Sequence, residues 1–440
     1  MRRALVIGLL AALCASGSAF AAPGRLAGDP LQGQEWWLPA VGADRATPPG
    51  PGVPVTIVDS SFDQSHPELA GRPDTTFLDP QSAPGPDDWR GTAAASIAAA
   101  PANGVGLVGV YPSAALQLWD AGAGGKVASA RAAEGVQAAA AHCPGVIDLG
   151  FGGLDRHQDL AAAILGAVHR GCLVVAPAGT TGDTNNPAVY PAALPHVLAV
   201  AATDEHDQVA TLSSGGPWVD LAAPGADMTA AVPLSRDPSG YAAATGTSLS
   251  AAMVAGAAGW IWTQHPTLTP EQLTAILRSS ARDVGPRGFD IATGYGILDV
   301  PSALAARAPR PDPREPNDNV DQVKPGALFP DGRPALTTRA RTSRRISGTL
   351  EPKDRRDVYR VWVPAGSVVR ASVSSRGAAA YRIWGPRTSS IDERVRARRR
   401  DLKGPLIRGG SVGFTAYVEV LLTGLDIRAD YVLSVTASRR

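Results

Sequence analysis

Ser248 is the residue whose type and setting most directly suggest nucleophilic chemistry. The stretch "GTSLSAAMVAGAAGWIW" places Ser248 after Gly246 and Thr247 at the opening of an Ala-rich helix. A tight turn there presents the hydroxyl, and the serine N–H lies at a helix N-terminus, which favours negative charge. That setting suits a nucleophile and half of an oxyanion hole. Alone, it is also what small-residue packing produces, and Ser is a common N-cap. Asp59 closes the β-branched run of "VPVTIVDSS", Thr180 ends "CLVVAPAGT", and Arg90 opens the small-residue run of "WRGTAAASIAAA".

The elements that must position these residues alternate in type. Helical "KVASARAAEGVQAAAAH" precedes strand-like "GVIDLGF", and helical "QDLAAAILGAVHRG" precedes "CLVVAPAG" and "HVLAVAATD". Continuous apolar strands between helices predict an α/β parallel sheet flanked by helices on both faces, with sites gathered at the carboxyl ends of the strands. Asp59 and Thr180 stand at or just past such ends. Trp36 and Trp37 in the opening segment are available to pack on a core, and "TPEQLTAILRSS" predicts a helix capped by Thr269 with Pro270 at its first position. The Pro- and charge-rich "APRPDPREPNDN" marks a linker at 308–314. Beyond it, "DVYRVWV", "VVRASVS", "YVEVLL" and "YVLSVTA" predict a small all-β sandwich over 315–438.

In their order and motifs these segments resemble the subtilisin-like serine peptidases, the subtilase family. The resemblance spans about Asp29 to Arg307 and takes in "DPLQGQEWWL", "HPEL", "VDLAAPG" and "GYGILD". It implies a subtilisin-like domain over 29–307. There an aspartate orients a histidine, the histidine takes the serine's proton, and an asparagine side chain helps hold the oxyanion. Asp59 and Ser248 match. The histidine of the family's His-Gly-Thr motif falls on Arg90, followed by Gly91 and Thr92; the asparagine of its Ala-Gly-Asn motif falls on Thr180, after Ala178 and Gly179. Ser61, Asp148 and Ala252 stand where glycine, asparagine and proline are usual.

A guanidinium is already protonated at neutral pH and has no acceptor lone pair, so Arg90 cannot act as the general base. A charge-assisted pair with Asp59 is the expected alternative. In subtilisin, loss of the histidine or the serine lowers kcat by about 2 × 10⁶, and loss of the oxyanion asparagine by about 10² to 10³. His66 is the nearest histidine to Asp59, but the matching His-Pro pair of the family is structural. The other histidines show no relation to the motif spacing. The resemblance therefore implies an impaired serine peptidase acting as a pseudopeptidase, with a peptide or protein ligand in the cleft; the alternative is a weakly active or rearranged-site endopeptidase. The tail motifs "EPNDN" and "ISGTLEPKDRRDVYRVWVPAG" resemble the bacterial pre-peptidase C-terminal domain, which implies attachment or stabilisation rather than chemistry.

Composition bears on compartment and partners. Two arginines, the apolar run Ala4 to Cys14 and small Ala19 and Ala21 predict a cleavable export signal at 1–21. That run is shorter than the roughly 18 to 20 residues of a membrane span. A secreted protein is expected, extracellular or in the periplasm or cell envelope. About eight residues separate Ala21 from "DPL", too few for the folded inhibitory propeptide that active subtilases commonly carry. Cys143 and Cys172 each precede an apolar run; a disulfide and two separate buried thiols both fit the sequence. From Pro311 onward 25 Lys and Arg face 14 Asp and Glu, so the tail is +11 and the remainder −10. Such asymmetry suits docking between the two parts, or a cell-envelope binding protein whose basic tail holds an anionic surface. Nucleic acid is not expected, since the basic residues are scattered apart from "RVRARRR" at Arg394 to Arg400. With no HxxxH or paired-cysteine spacing, no metal or cofactor is expected.

Overall fold

The computed structural model describes residues 28–439 except 82, 124–125, 183–184, 311–313, 393–405 and 425–427. The export-signal reading at 1–21 and the "RVRARRR" run lie outside the described residues. One parallel sheet is built from β1 (Val55–Asp59), β2 (Thr75–Phe77), β3 (Leu116–Asp120), β4 (Val146–Leu149), β5 (Leu173–Pro177), β6 (Val197–Thr203) and β7 (Leu221–Pro224). Its order is β2-β3-β1-β4-β5-β6-β7. Strands β1 and β4 to β7 are buried along their whole length, which is why they read as unbroken apolar runs rather than alternating ones.

Helices cover both faces. On one lie α1 (Arg90–Ala99) and, later in the chain, α4 (Thr247–Gln264); on the other lie α2 (Ser129–Ala139) and α3 (Gln158–His169). Helix α4 is apolar all round and almost wholly buried. Its glycines permit close approach: a methyl on Gly256 would stand 2.6 Å from the Ala98 carbonyl oxygen of α1. The expected helix from Lys126 begins instead at Ser129, because Lys126–Val127 pairs with Gly122–Ala123 in a short antiparallel ladder and Ala128 is extended. Helix α5 (Pro270–Ser280) starts as expected: the Thr269 hydroxyl accepts the Gln272 N–H, and the Gln272 side chain accepts the Thr269 N–H. Trp37 is fully buried in the core. Cys143 and Cys172 form a disulfide, with Cα atoms 5.1 Å apart, at the amino ends of the paired strands β4 and β5.

The C-terminal strands are β8 (Ser343–Leu350), β9 (Arg356–Val363), β10 (Ser367–Arg376), β11 (Ala379–Trp384), β12 (Leu406–Arg408), β13 (Phe414–Leu422) and β14 (Ala429–Arg439). They form two antiparallel sheets, β8-β14-β10-β12 and β9-β13-β11, around a core that includes Val361, Val418 and Leu433. This unit docks at the amino ends of β6 and β7. Lys353 Nζ donates to Asp220 Oδ2 and to the Val197 carbonyl, each at 2.5 Å. Arg278 of α5 donates to Asp220 Oδ1 at 2.5 Å and also to Glu351. Burial alone would raise the Asp220 carboxyl, but the Arg278 and Lys353 charges hold it below the ordinary range. His196, just before β6, is 3.0 Å from Asp318. The carboxyl ends of the strands lie at the opposite edge of the sheet from these contacts.

Candidate active site

Asp59 ends β1 and is fully buried. Arg90 opens α1, whose first turn is pressed against the chain leaving β1: Gly91 N–H donates to the Ser60 carbonyl at 2.9 Å. A methyl on Gly91 would lie 2.4 Å from that oxygen, so only glycine fits after Arg90. The Thr92 hydroxyl accepts the Asp63 N–H at 3.0 Å and ties the same loop to the helix.

The expected Asp59–Arg90 hydrogen-bonded pair is not formed. Asp59 Oδ1 accepts the Ser60 N–H at 2.6 Å, whereas Oδ2 meets no donor. Arg90 is exposed, and its guanidinium lies 5.4 Å from the centroid of the Trp89 ring, which Arg236 also covers at 5.3 Å. Stacking at the surface keeps the guanidinium hydrated, while sinking it beside Asp59 would strip that hydration. Its field still reaches the carboxyl. Burial raises Asp59 to about 7, against the lowering effect of the Ser60 N–H and of Arg90.

Ser248 is the second residue of α4 and is half-buried. The start of that helix is held by the "PG" of the preceding loop: Gly246 N–H donates to the Gly225 carbonyl at 2.8 Å, and Ser250 Oγ donates to the Pro224 carbonyl at 3.0 Å. A Cβ on Gly225 would fall 2.1 Å from Ser250 Oγ, which requires the glycine. Among the described residues, none hydrogen-bonds the Ser248 hydroxyl. Thr180 is exposed, just past β5, after Gly179 at φ +113°. Asp59, Arg90, Thr180 and Ser248 thus all line one cleft of about 480 Å³, as the sequence order requires.

Two histidines bear on whether the serine has a base. His66 is fully buried, its Nε2 is 2.8 Å from the Gly240 carbonyl, and its Nδ1 accepts the Glu68 N–H at 3.1 Å. Both ring nitrogens are therefore committed. His157, which showed no motif relation, occupies the residue before α3 without a side-chain hydrogen bond to the helix and lines the same cleft.

The sequence did not reveal the roles of Asp120, Trp89 and the His196 cluster. Asp120 is the register partner of Asp59 on β3 and accepts the Ser61 N–H at 2.9 Å. An acid ending a strand was its one available signal. His196, Glu315 and Asp354 bring potential ligand atoms within 4.8 Å of one another at the junction with the C-terminal sheets. Their separation along the chain hides this from any spacing rule.

Asp148 is fully buried on β4, on the same face as Asp59 by the Ile57–Asp148 register, and neither of its carboxyl oxygens has a partner. Burial, then the charge of Asp59, pushes its carboxyl well above the ordinary range. A raised carboxyl means that the folded state holds the extra proton, so this contribution to stability is full in acid and is lost as pH rises towards the folded value. Asp148→Asn removes that dependence. Its Tm relative to wild type is expected to climb from pH 5 to pH 8, by at most about 1.4 kcal/mol of stability per pH unit. Thermal unfolding across pH measures this; a pH-independent difference contradicts it.

A parallel sheet with a buried aspartate ending an inner strand, and a serine opening a buried helix at the same edge, defines the architecture of a serine peptidase of the subtilisin type. The subtilase family profile (peptidase S8) matches residues 50–296, more than half of the chain, and the chain belongs to that family. It is 33% identical over 260 residues to subtilisin amylosacchariticus of Bacillus subtilis subsp. amylosacchariticus, covering 58% of this chain and 66% of that protein's length. It is 36% identical over 252 residues to thermitase of Thermoactinomyces vulgaris, covering 56% of this chain and 86% of thermitase. The solved structure of the S41 psychrophilic protease superposes with a TM-score of 0.54 at 25% identity, over 61% of this chain and 99% of that one.

Proposed function

We propose that this subtilase is an exported pseudopeptidase that holds a peptide or protein ligand in its cleft without efficient hydrolysis. One observation supports the reading: among the described residues none hydrogen-bonds the Ser248 hydroxyl, with arginine at the head of α1 and both nitrogens of His66 bonded elsewhere. Arg90 and Thr180 take the places of the family's histidine and asparagine. Asp59, raised to about 7, is half neutral at neutral pH and is a weaker partner for any cation. Export through residues 1–21 is consistent with the Cys143–Cys172 disulfide, since such bonds persist in oxidising compartments. The sheets of the tail, resembling a pre-peptidase C-terminal domain, serve as a docked accessory.

Casein hydrolysis by wild type and by Ser248→Ala tests the reading. The two rates are expected to coincide, since the oxyanion site and binding that remain are common to both; a wild-type rate about 10-fold or more above the serine variant contradicts it. A second reading, a rearranged-site endopeptidase, is favoured only by His157 lining the cleft. It requires Ser248-dependent turnover that His157→Ala abolishes.

A further inference from the structure

The outer face of the larger C-terminal sheet carries charge of nearly one sign. Along β8, β14, β10 and β12 the residues alternate, and Ile346, Leu433, Val369 and Ile407 turn into the core between the two sheets. Many of their neighbours, which face away from that core, carry hydroxyls: Ser343 and Ser347 on β8, Ser434 and Thr436 on β14, Ser372 and Ser374 on β10. Arg345 on β8, Arg370 on β10 and Arg408 on β12 share this face, and each is exposed. The four strands contain a single acid, Asp430, which stands opposite Arg376 at the far end of the face and already accepts bonds from Thr349 and Arg428.

Register sets the spacing of the cations. Arg345 stands opposite Ser434, Ser434 stands opposite Ser372, and Arg370 lies two residues before Ser372 on β10. Arg408 stands opposite Val368, which makes it the diagonal neighbour of Arg370. With strands about 4.8 Å apart and about 3.4 Å per residue, the arginines form a diagonal of roughly 20 Å, in steps of about 12 and about 8 Å. A sheet face in water ordinarily mixes both signs, and charges on edge strands serve to block pairing with other chains. That accounts for Arg345 and Arg408 but not for Arg370, whose strand is an inner one. Among the described residues no carboxylate pairs with any member of the diagonal.

We propose that this face binds a linear polyanionic glycan, with its anionic groups on the arginine diagonal and its sugar hydroxyls on the serines and threonines between. A guanidinium fork matches the oxygens of a phosphate, sulfate or carboxylate, and a Ser or Thr hydroxyl both donates and accepts, as a sugar hydroxyl does. Nucleic acid is disfavoured because the face offers no stacking surface: the one aromatic residue of the four strands, Tyr431, is buried. A lipid surface would want large apolar side chains to insert, and the outward positions hold small polar ones instead. The proposal lies outside the cleft and stands whether or not Ser248 reacts.

The test passes the full chain over immobilised heparin in about 0.15 M salt, where charges more than about 8 Å apart are largely screened. Arg345→Ser/Arg370→Ser/Arg408→Ser is expected to weaken binding at least about 10-fold, the combined effect of several exposed charge contacts. Arg287→Ser/Arg307→Ser/Arg387→Ser removes the same charge from exposed positions elsewhere and should weaken it by less than about 2-fold. Equal losses in the two triple variants reduce the effect to net charge and overturn the proposal, as does wild type that fails to bind heparin. Binding to polyglutamate as tight as to heparin overturns the glycan assignment. Binding to phosphatidylglycerol vesicles in preference to heparin, abolished by the first triple variant, assigns the face to a membrane and also overturns it.

Discussion

Arg90→His/Thr180→Asn hydrolyses casein at least about 10²- to 10³-fold faster than wild type, the range attributed separately to a positioned general base and to one oxyanion donor. The upper bound is the roughly 10⁶ by which subtilisin falls when its histidine is lost. The structure explains why the change can act without rebuilding the site. Gly91, Thr92 and the Ser60 carbonyl already fix the head of α1, and Asp59 Oδ2 has its hydrogen-bonding capacity unused. Arg90→His alone recovers most of the gain, and Thr180→Asn alone recovers little, because without a base the added oxyanion donor assists only the slow background attack. A folded double variant as silent as wild type contradicts the claim that Ser248 is correctly placed.

Asp220→Ala is expected to be the most damaging substitution to stability, at about 3 to 5 kcal/mol, the range for stripping one partner from a buried ion pair. Asp220 neutralises Lys353 and Arg278 at once and also accepts the Ala199 N–H at 2.6 Å. Its loss leaves two cations with Glu351 alone to balance them in the junction between the peptidase sheet and the C-terminal sheets. Lys353→Ala costs less than Asp220→Ala, because the carboxylate keeps Arg278. In a double-mutant cycle by thermal or urea unfolding, the pair is coupled by more than about 0.5 kcal/mol; strict additivity contradicts a working contact. This junction also bears on dissection of the protein. Cutting the chain at 308–314 removes Lys353 from Asp220, so loss of binding in a truncated protein would not by itself assign that binding to the tail.

The parallel sheet, the capped helix at Thr269 and the convergence of Asp59, Arg90, Thr180 and Ser248 were legible because each follows from local chemistry: apolar runs, a Thr-Pro cap, and motifs with required glycines. The bound disulfide was left open, since only the register of β4 on β5 shows that the two sulfurs meet. The Arg90–Asp59 pair was expected from charge alone. What decided against it was the depth of Asp59 and the Trp89 ring, which offers the guanidinium a stacked position at the surface. The ionic junction at Asp220 joins residues 133 positions apart and left only the opposed net charges of body and tail as a sign.

Covalent labelling by a fluorophosphonate reads the reactivity of Ser248 directly, free of substrate preference. Intact mass and peptide mapping after exposure at pH 7.5 are expected to show wild type unmodified over a time in which Arg90→His/Thr180→Asn is labelled to one equivalent at Ser248. Stoichiometric labelling of Ser248 in wild type at a comparable rate would show that a base reaches the hydroxyl after all, and the account of Ser248 as a hydroxyl without a working base would be wrong.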